Sequence, residues 1–197
     1  MRFMNDGYDT QKPVPLSIDD EPDRYSIQLY HRVVGVDLAA SAIAFCRAHY
    51  DLPGLRFEQG DAEALDLPDA SFDAVLNVES SVCYERPERF FAEVVRVLRP
   101  GGHFLYADVR ETRELQDWER QLEATGLEKL EEEDVTGRVV AALDRDSRRR
   151  SRLIAEHAPW ALRGIFAEFA GVRGSNFYYE AMKRREKVYL RYLFRKS

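Results

Sequence analysis

Two runs of the sequence, VVGVD at 33–37 and FDAVLNVES at 72–80, are apolar almost without interruption. A strand that faces water on one side alternates apolar and polar positions; a strand covered on both faces does not. Two such runs call for a sheet sandwiched between helices, and the rest of the chain has to supply those helices. AASAIAFCRAHY (39–50) reads as a short helix ended by DLPG. RPERFFAEVVRVLRPGG (86–102) places Pro87 in a first turn and sets Phe90, Phe91, Val94, Val95 and Leu98 at helical spacing, with Pro100-Gly101 as a tight turn. LRFEQGD (55–61) and HFLYADV (103–109) read as further strands, 112–126 as a helix capped by Gly126, and 136–170 as amphipathic helix. KVYLRYLFRK (187–196) alternates with period two, the pattern of a last, antiparallel strand. Alternating strand and helix gives an α/β class with a mainly parallel sheet.

At 197 residues the chain suits one domain. Its expected parts are an N-terminal arm and helix (1–32), a cofactor-binding core (33–135), a helical substrate-covering region (136–182) in which Trp160, Leu162, Ile165, Phe166 and Phe169 would select the substrate, and the last strand (183–197). Residues 1–20 are polar and read as a mobile arm; EPDRYSIQLYHR (21–32) reads as the start of a helix. No apolar run reaches the roughly 18 residues of a membrane span and no signal-peptide core is visible, so a cytoplasmic setting is expected. A net charge of −6 argues against nucleic acid as the main partner. The basic cluster RDSRRRSR (145–152) is a solvated surface or a patch for an anionic ligand, and the acidic run LEKLEEED (127–134) a solvated face. Cys46 and Cys83 have neither metal nor disulfide spacing and read as buried small hydrophobes. His31, His49, His103 and His157 form no HxxH pattern, so no metal is expected.

In a doubly wound sheet, ligands bind beyond the carboxyl ends of the strands. Three polar sites fall there. Asp37 follows VVGV, where a carboxylate can accept hydrogen bonds from both ribose hydroxyls. Asp61 follows LRFEQG, where an acid and the next backbone N–H suit an adenine edge. Asn77 to Glu79 end the strand DAVLNVES. Taken singly, Asp37 reads equally as a helix cap and Asp61 as a turn residue.

GVDLAASAIAFC, GDAEALDLPDASFDAVLNVES and RFFAEVVRVLRPGGHFLYAD together resemble the motifs of class I S-adenosylmethionine-dependent methyltransferases, with a Rossmann-like fold. QLYHRV, LPGLRFEQGDAE and LNVESSVCYERPERFF are similar to the phthiotriol/phenolphthiotriol dimycocerosate methyltransferases and to O-methyltransferases that tailor polyketides. The resemblance covers residues 25–125 most strongly. It implies S-adenosyl-L-methionine as cofactor, Asp37 on its ribose with Leu38 beside it, Asp61 and Ala62 on its adenine, and Asn77 near its methionine end. It also implies natural-product chemistry: transfer of a methyl to a hydroxyl of a small, polyketide or lipid-like hydrophobic substrate.

Two departures stand out. Where relatives carry a histidine that serves as general base, this chain has Val82; Glu79, Tyr84, His31 and His157 are the candidate replacements. More consequentially, the first strand and its glycine loop are missing ahead of Val33. The family sheet runs 3-2-1-4-5-7-6. Without strand 1, VVGVD and FDAVLNV would stand about 10 Å apart, each with buried backbone groups lacking partners, at about 1–3 kcal/mol per group. Three readings remain open: the sequence as given omits a segment; the sheet has rearranged, or a second chain supplies the strand; or the protein is a non-catalytic, methyltransferase-like binding subunit. A dinucleotide oxidoreductase shares the acidic strand tip but fits the Asp61 loop and the RVLRPGG turn less well. The oligomeric state is not legible.

Overall fold

The structure is a computed structural model that describes residues 2–5 and 32–197. Seven strands form one sheet: β1 (Arg2–Asn5), β2 (Val33–Asp37), β3 (Leu55–Gln59), β4 (Phe72–Val78), β5 (Leu98–Glu111), β6 (Glu128–Asp134) and β7 (Lys187–Arg195). Their spatial order is β3-β2-β1-β4-β5-β7-β6, the order the family resemblance implies. The helices are α1 (Ala40–His49), α2 (Pro87–Val97), α3 (Leu115–Glu123), α4 (Thr136–His157), α5 (Arg163–Phe169) and the single turn α6 (Ala181–Lys183).

β2 and β3 are parallel in the register Val33↔Leu55 to Asp37↔Gln59, so Asp37 and the Gly60-Asp61 turn finish at the same edge. The slot between β2 and β4 is not empty. β1 fills it and runs antiparallel to both neighbours, pairing Arg2↔Val36 to Asn5↔Val33 on one side and Phe3↔Leu76 to Asn5↔Ala74 on the other. This is the arrangement of the rearranged-sheet reading, with the chain supplying its own central strand. The mobile-arm reading of residues 1–20 is corrected at Arg2–Asn5, which are strand; the expected helix start at 21–31 lies outside the described residues. Backbone pairing, not side-chain pattern, places this strand: four residues are too short to show a period.

Backbone bonds from Gly101 N–H to Lys196 O (2.8 Å) and from Lys196 N–H to Gly102 O (2.9 Å) tie the start of β5 to the end of β7, so the last strand is antiparallel. The acidic run 127–134, expected as a bare solvated face, is also strand. Its exposed carboxylates pair across to β7, Glu128 with Arg195 and Glu133 with Arg191. Opposite-charge cross-strand pairs support an edge strand whose glutamates have low strand preference. The helical stretch expected over 136–170 breaks after α4, at Ala158-Pro159, and resumes in α5.

By its contacts the chain forms two compact units. One comprises the residues up to Tyr106 with 121–131 and 192–197, the other 107–120 with 132–191. In the first, α2 buries Phe90, Phe91, Val94 and Val97, with Phe90 and Phe91 edge-on to Phe104. Phe90, Phe91 and Val94 are the stripe read from the sequence, but Val97 completes it where Val95, which is half-buried, and Leu98, which already begins β5, were expected; α1 adds Ile43 and Cys46 against Phe57. In the second, Val109, Met182 and Tyr189 form the core, with Val139, Val140 and Leu143 of α4 packed on it.

Candidate active site

Within the first unit, a cleft of about 560 Å³ opens at the carboxyl ends of β2, β3 and β4. Asp37, Leu38, Asp61, Ala62, Glu79 and Tyr84 line it together, six of the nine positions picked as site residues from sequence. Gly60 lets the end of β3 lie against β2: a Cβ there would sit 3.1 Å from the Val36 side chain.

Asp37 and Asp61 are built alike. One carboxylate oxygen of Asp37 accepts the Ala39 N–H (2.8 Å), and one of Asp61 accepts the Glu63 N–H (2.9 Å). Each side chain thereby closes a turn onto the residue two ahead, which fixes its direction. Asp61 is thus the turn residue its alternative reading gave, whereas Asp37 is not the helix cap: that position is Ala39, which has no side-chain cap bond, and Asp37 accepts the N–H of Ala39 itself. Leu38 is exposed at the mouth and Ala62 is buried.

Asn77 is fully buried at the end of β4. Its amide Nδ2 donates to the Tyr84 hydroxyl (3.1 Å), while its carbonyl Oδ1 has no hydrogen-bond partner. A buried acceptor without a donor costs on the order of 1–3 kcal/mol and is the kind of atom a ligand's donor satisfies. Glu79, next but one, takes a positive φ of 49°, a conformation unfavourable for a residue with a Cβ, and projects at the cleft. Tyr84 is half-buried, edge-on to Phe90 at 5.1 Å. His31 lies outside the described residues. His157 ends α4 in the second unit and Val82 is exposed outside the cleft lining.

Sequence reasoning missed Glu63, Cys83 and Arg86. Glu63, whose side chain is only 9% exposed, accepts the Arg86 backbone N–H (3.0 Å) and its Nε (3.3 Å), locking the acidic loop to the start of α2. The signal was present in GDAEAL, two residues after Asp61, but nothing in spacing distinguished it from a solvated glutamate. Cys83 is exposed in the cleft wall, correcting the expectation that both cysteines are buried; Cys46 is.

The loop after Asp61 is held from behind by Arg96. Its guanidinium donates to Glu93, to Asp69 (2.6 Å) and to the carbonyls of Leu65 (2.8 Å) and Leu67 (2.6 Å), while Glu93 also accepts the Leu65 N–H (2.7 Å). The Arg96 contact holds the Glu93 carboxyl below its ordinary value, against the opposing effect of burial.

Five carboxylates (Asp37, Asp61, Glu63, Glu79, Glu85) and one guanidinium (Arg86) line the cleft. This polarity suits a nucleoside ligand carrying positive charge and opposes a pyrophosphate. Among the described residues no cluster of His, Cys, Asp or Glu could hold a metal, and no helix is long and apolar enough to cross a membrane.

Comparisons with known proteins agree with this geometry. Residues 22–106 match the family model described as a methyltransferase domain. The chain is 38% identical over 209 positions to a phthiotriol/phenolphthiotriol dimycocerosates methyltransferase of Mycobacterium tuberculosis, covering 88% of this chain and 77% of that one. It is 36% identical over 228 positions to a fatty-acid O-methyltransferase of Mycolicibacterium smegmatis, covering 98% and 82%. Both alignments are longer than the 197 residues available. Some positions of each relative therefore have no counterpart here. Among solved structures, a phosphoethanolamine N-methyltransferase 2 of Haemonchus contortus shares the fold, with a TM-score of 0.70 at 16% identity over 88% of this chain and 46% of that chain. With the strand order, the paired acidic tips and these relatives in hand, the chain belongs to the class I S-adenosylmethionine-dependent methyltransferases, in the phthiotriol/phenolphthiotriol dimycocerosates methyltransferase group, with S-adenosylmethionine as its cofactor.

Proposed function

We propose that this methyltransferase acts on an oxygen of a hydrophobic, lipid-like or polyketide-like acceptor. The observation that carries the reading is the convergence of Asp37 and Asp61 on one predominantly acidic cleft; Asn77, linked to the cleft residue Tyr84 through its Nδ2, keeps an unpaired carbonyl oxygen. Those residues fit the cofactor: Asp37 would hold its ribose hydroxyls, Asp61 and the Ala62 backbone its adenine edge, and Asn77 would offer its free Oδ1 to a donor of the methionine end. Bound there, S-adenosylmethionine supplies an electrophilic methyl on a sulfonium, so the protein's own work is positioning and removal of one proton. Glu79 is the group in this cleft whose chemistry suits taking that proton. The Tyr84 phenol, fixed by Asn77, would orient the acceptor oxygen. Relatives named for fatty-acid O-methylation and for phthiotriol dimycocerosates support a lipid-like acceptor.

A second reading, a methyltransferase-like subunit without catalysis, is favoured by one feature: β1 is antiparallel to β2, so its carboxyl end, Asn5 opposite Val33, lies at the edge of the sheet away from Asp37. Calorimetry with S-adenosylhomocysteine, followed by transfer of labelled methyl from S-adenosylmethionine to long-chain fatty acids and alcohols, separates the two. Roughly micromolar binding with label in ester or ether is the expected result. Binding without transfer to any oxygen acceptor supports the second reading, and absence of binding overturns the assigned cofactor roles.

A further inference from the structure

Helix α5 presents to solvent the face that a helix ordinarily buries. Leu162, Ile165, Phe166 and Phe169 stand at i, i+3, i+4 and i+7, the spacing of a core-facing stripe, yet all four are exposed, Phe169 by 66%. Trp160, just ahead, is 83% exposed. The Phe177 ring lies 5.7 Å from Phe169 and extends the patch. A continuous apolar surface on this scale marks a place that meets an apolar partner.

The surroundings of the patch indicate which partner. α5 folds back along the second half of α4: Arg163 donates to the carbonyls of Ala155 (2.7 Å) and Ala158 (3.3 Å), and at the far end Arg150 donates to the carbonyl of Ala170. The aromatic stripe therefore runs beside the arginine-rich turns of α4. Between 136 and 170 there are seven arginines and four carboxylates, in a chain whose net charge is −6. Arg145 and Arg148 are exposed and make no ion pair among the described residues. A second copy of the chain docking symmetrically here would set the same excess of arginines against itself. A surface apolar inside and anionic at its rim is the complement: this is how interfacial helices bind bilayers, aromatics at the acyl boundary and basic residues at phosphates.

We propose that Trp160 and the exposed face of α5 dock this protein onto an anionic lipid bilayer, with the arginines of α4 engaging the lipid phosphates. The proposal is independent of the acceptor argued above, since it concerns a surface in the second unit and is tested without cofactor or acceptor. The two tryptophans differ sharply, Trp118 being buried and Trp160 exposed, so an emission shift on binding reports Trp160. The full chain is titrated with phosphatidylcholine vesicles and with vesicles also containing phosphatidylglycerol, and binding is checked by co-sedimentation. A blue shift with the anionic vesicles is expected. Phe166→Ser/Phe169→Ser should weaken binding by roughly tenfold per aromatic, and Arg145→Gln/Arg148→Gln by roughly fivefold per arginine, with circular dichroism unchanged. Equal binding to both vesicles, no binding to either, or full binding by the phenylalanine variant would overturn it. So would concentration-dependent dimerisation without lipid that the same phenylalanine substitutions abolish, because the face would then belong to a second copy.

Discussion

Asp37 and Asp61 each do two things with one carboxylate: one oxygen closes a backbone turn, and the side chain faces the cleft. Asparagine keeps an acceptor for the turn but removes the charge. Asp37→Asn and Asp61→Asn are therefore expected to keep the wild-type melting temperature while weakening cofactor binding about 10–100-fold, as loss of a charged hydrogen bond does; calorimetry with S-adenosylhomocysteine measures it. Alanine at either position should also cost about 1 kcal/mol of stability, visible in urea unfolding. A second residue-scale expectation concerns Glu79. Glycine relieves its positive φ, so Glu79→Gly should leave stability unchanged or raise it by up to about 1 kcal/mol. If Glu79 takes the proton, single-turnover methyl transfer nonetheless falls by about 10²–10⁴. Wild-type transfer in that variant would move the role elsewhere. The two aspartates were legible as cleft residues because strand tips are legible; Asn77 lies at the end of β4 as read, but does not line the cleft. Glu63 and Arg86 were not, because their partnership joins a loop to a helix start 23 residues away and leaves no local pattern.

Among the elements, the head of β5 is the most tightly specified; the strand runs on through Pro100-Gly101, where the sequence suggested a tight turn. A Cβ on Gly102 would fall 2.9 Å from the Arg99 carbonyl oxygen and 3.1 Å from that of Asp73, both backbone atoms that cannot swing away. Gly102→Ala is expected to destabilise by about 1–3 kcal/mol, the range of overpacking, measured by denaturant unfolding. The β6–α4 junction carries a pH dependence. Arg185, with help from Thr136, holds the Asp134 carboxyl down to about 2 from an ordinary 3.8, against the opposing effect of burial. A depressed carboxylate contributes stability above its unfolded value and loses it as pH falls through the folded one. The loss from this group therefore lies between about pH 4 and 2, and Asp134→Asn should flatten acid unfolding in that window. The α2 stripe and the alternation of β7 were readable because burial imposed a period on them. β6 was not, because Glu-rich sequence carries no strand signal and its support comes from arginines some sixty residues later.

At the scale of the whole molecule, the sheet order was legible from the family pattern, and so was the cost of an empty central slot. What filled it was not, since four residues at the head of the chain show no period. Because β1 bridges β2 and β4, Phe3→Pro should remove a central backbone donor at about 1–3 kcal/mol. Deleting residues 1–5 should cost several times that, and hydrogen exchange in β2 and β4 should accelerate together. Slowed exchange at those strands would show that another segment holds the slot.

The direction of that central strand has a practical corollary. In a parallel arrangement the polypeptide would leave the sheet at the nucleoside edge; here it arrives there, with the Arg2 backbone abreast of Val36 and one position from Asp37. Whatever is spliced ahead of Arg2, an affinity tag or a fused partner, must therefore emerge across the mouth that Asp37 guards, whereas a carboxyl-terminal fusion leaves beside Gly101-Gly102 near the start of β5. Preparations tagged at opposite ends should differ in their grip on S-adenosylhomocysteine, and removing the amino-terminal tag should erase the difference.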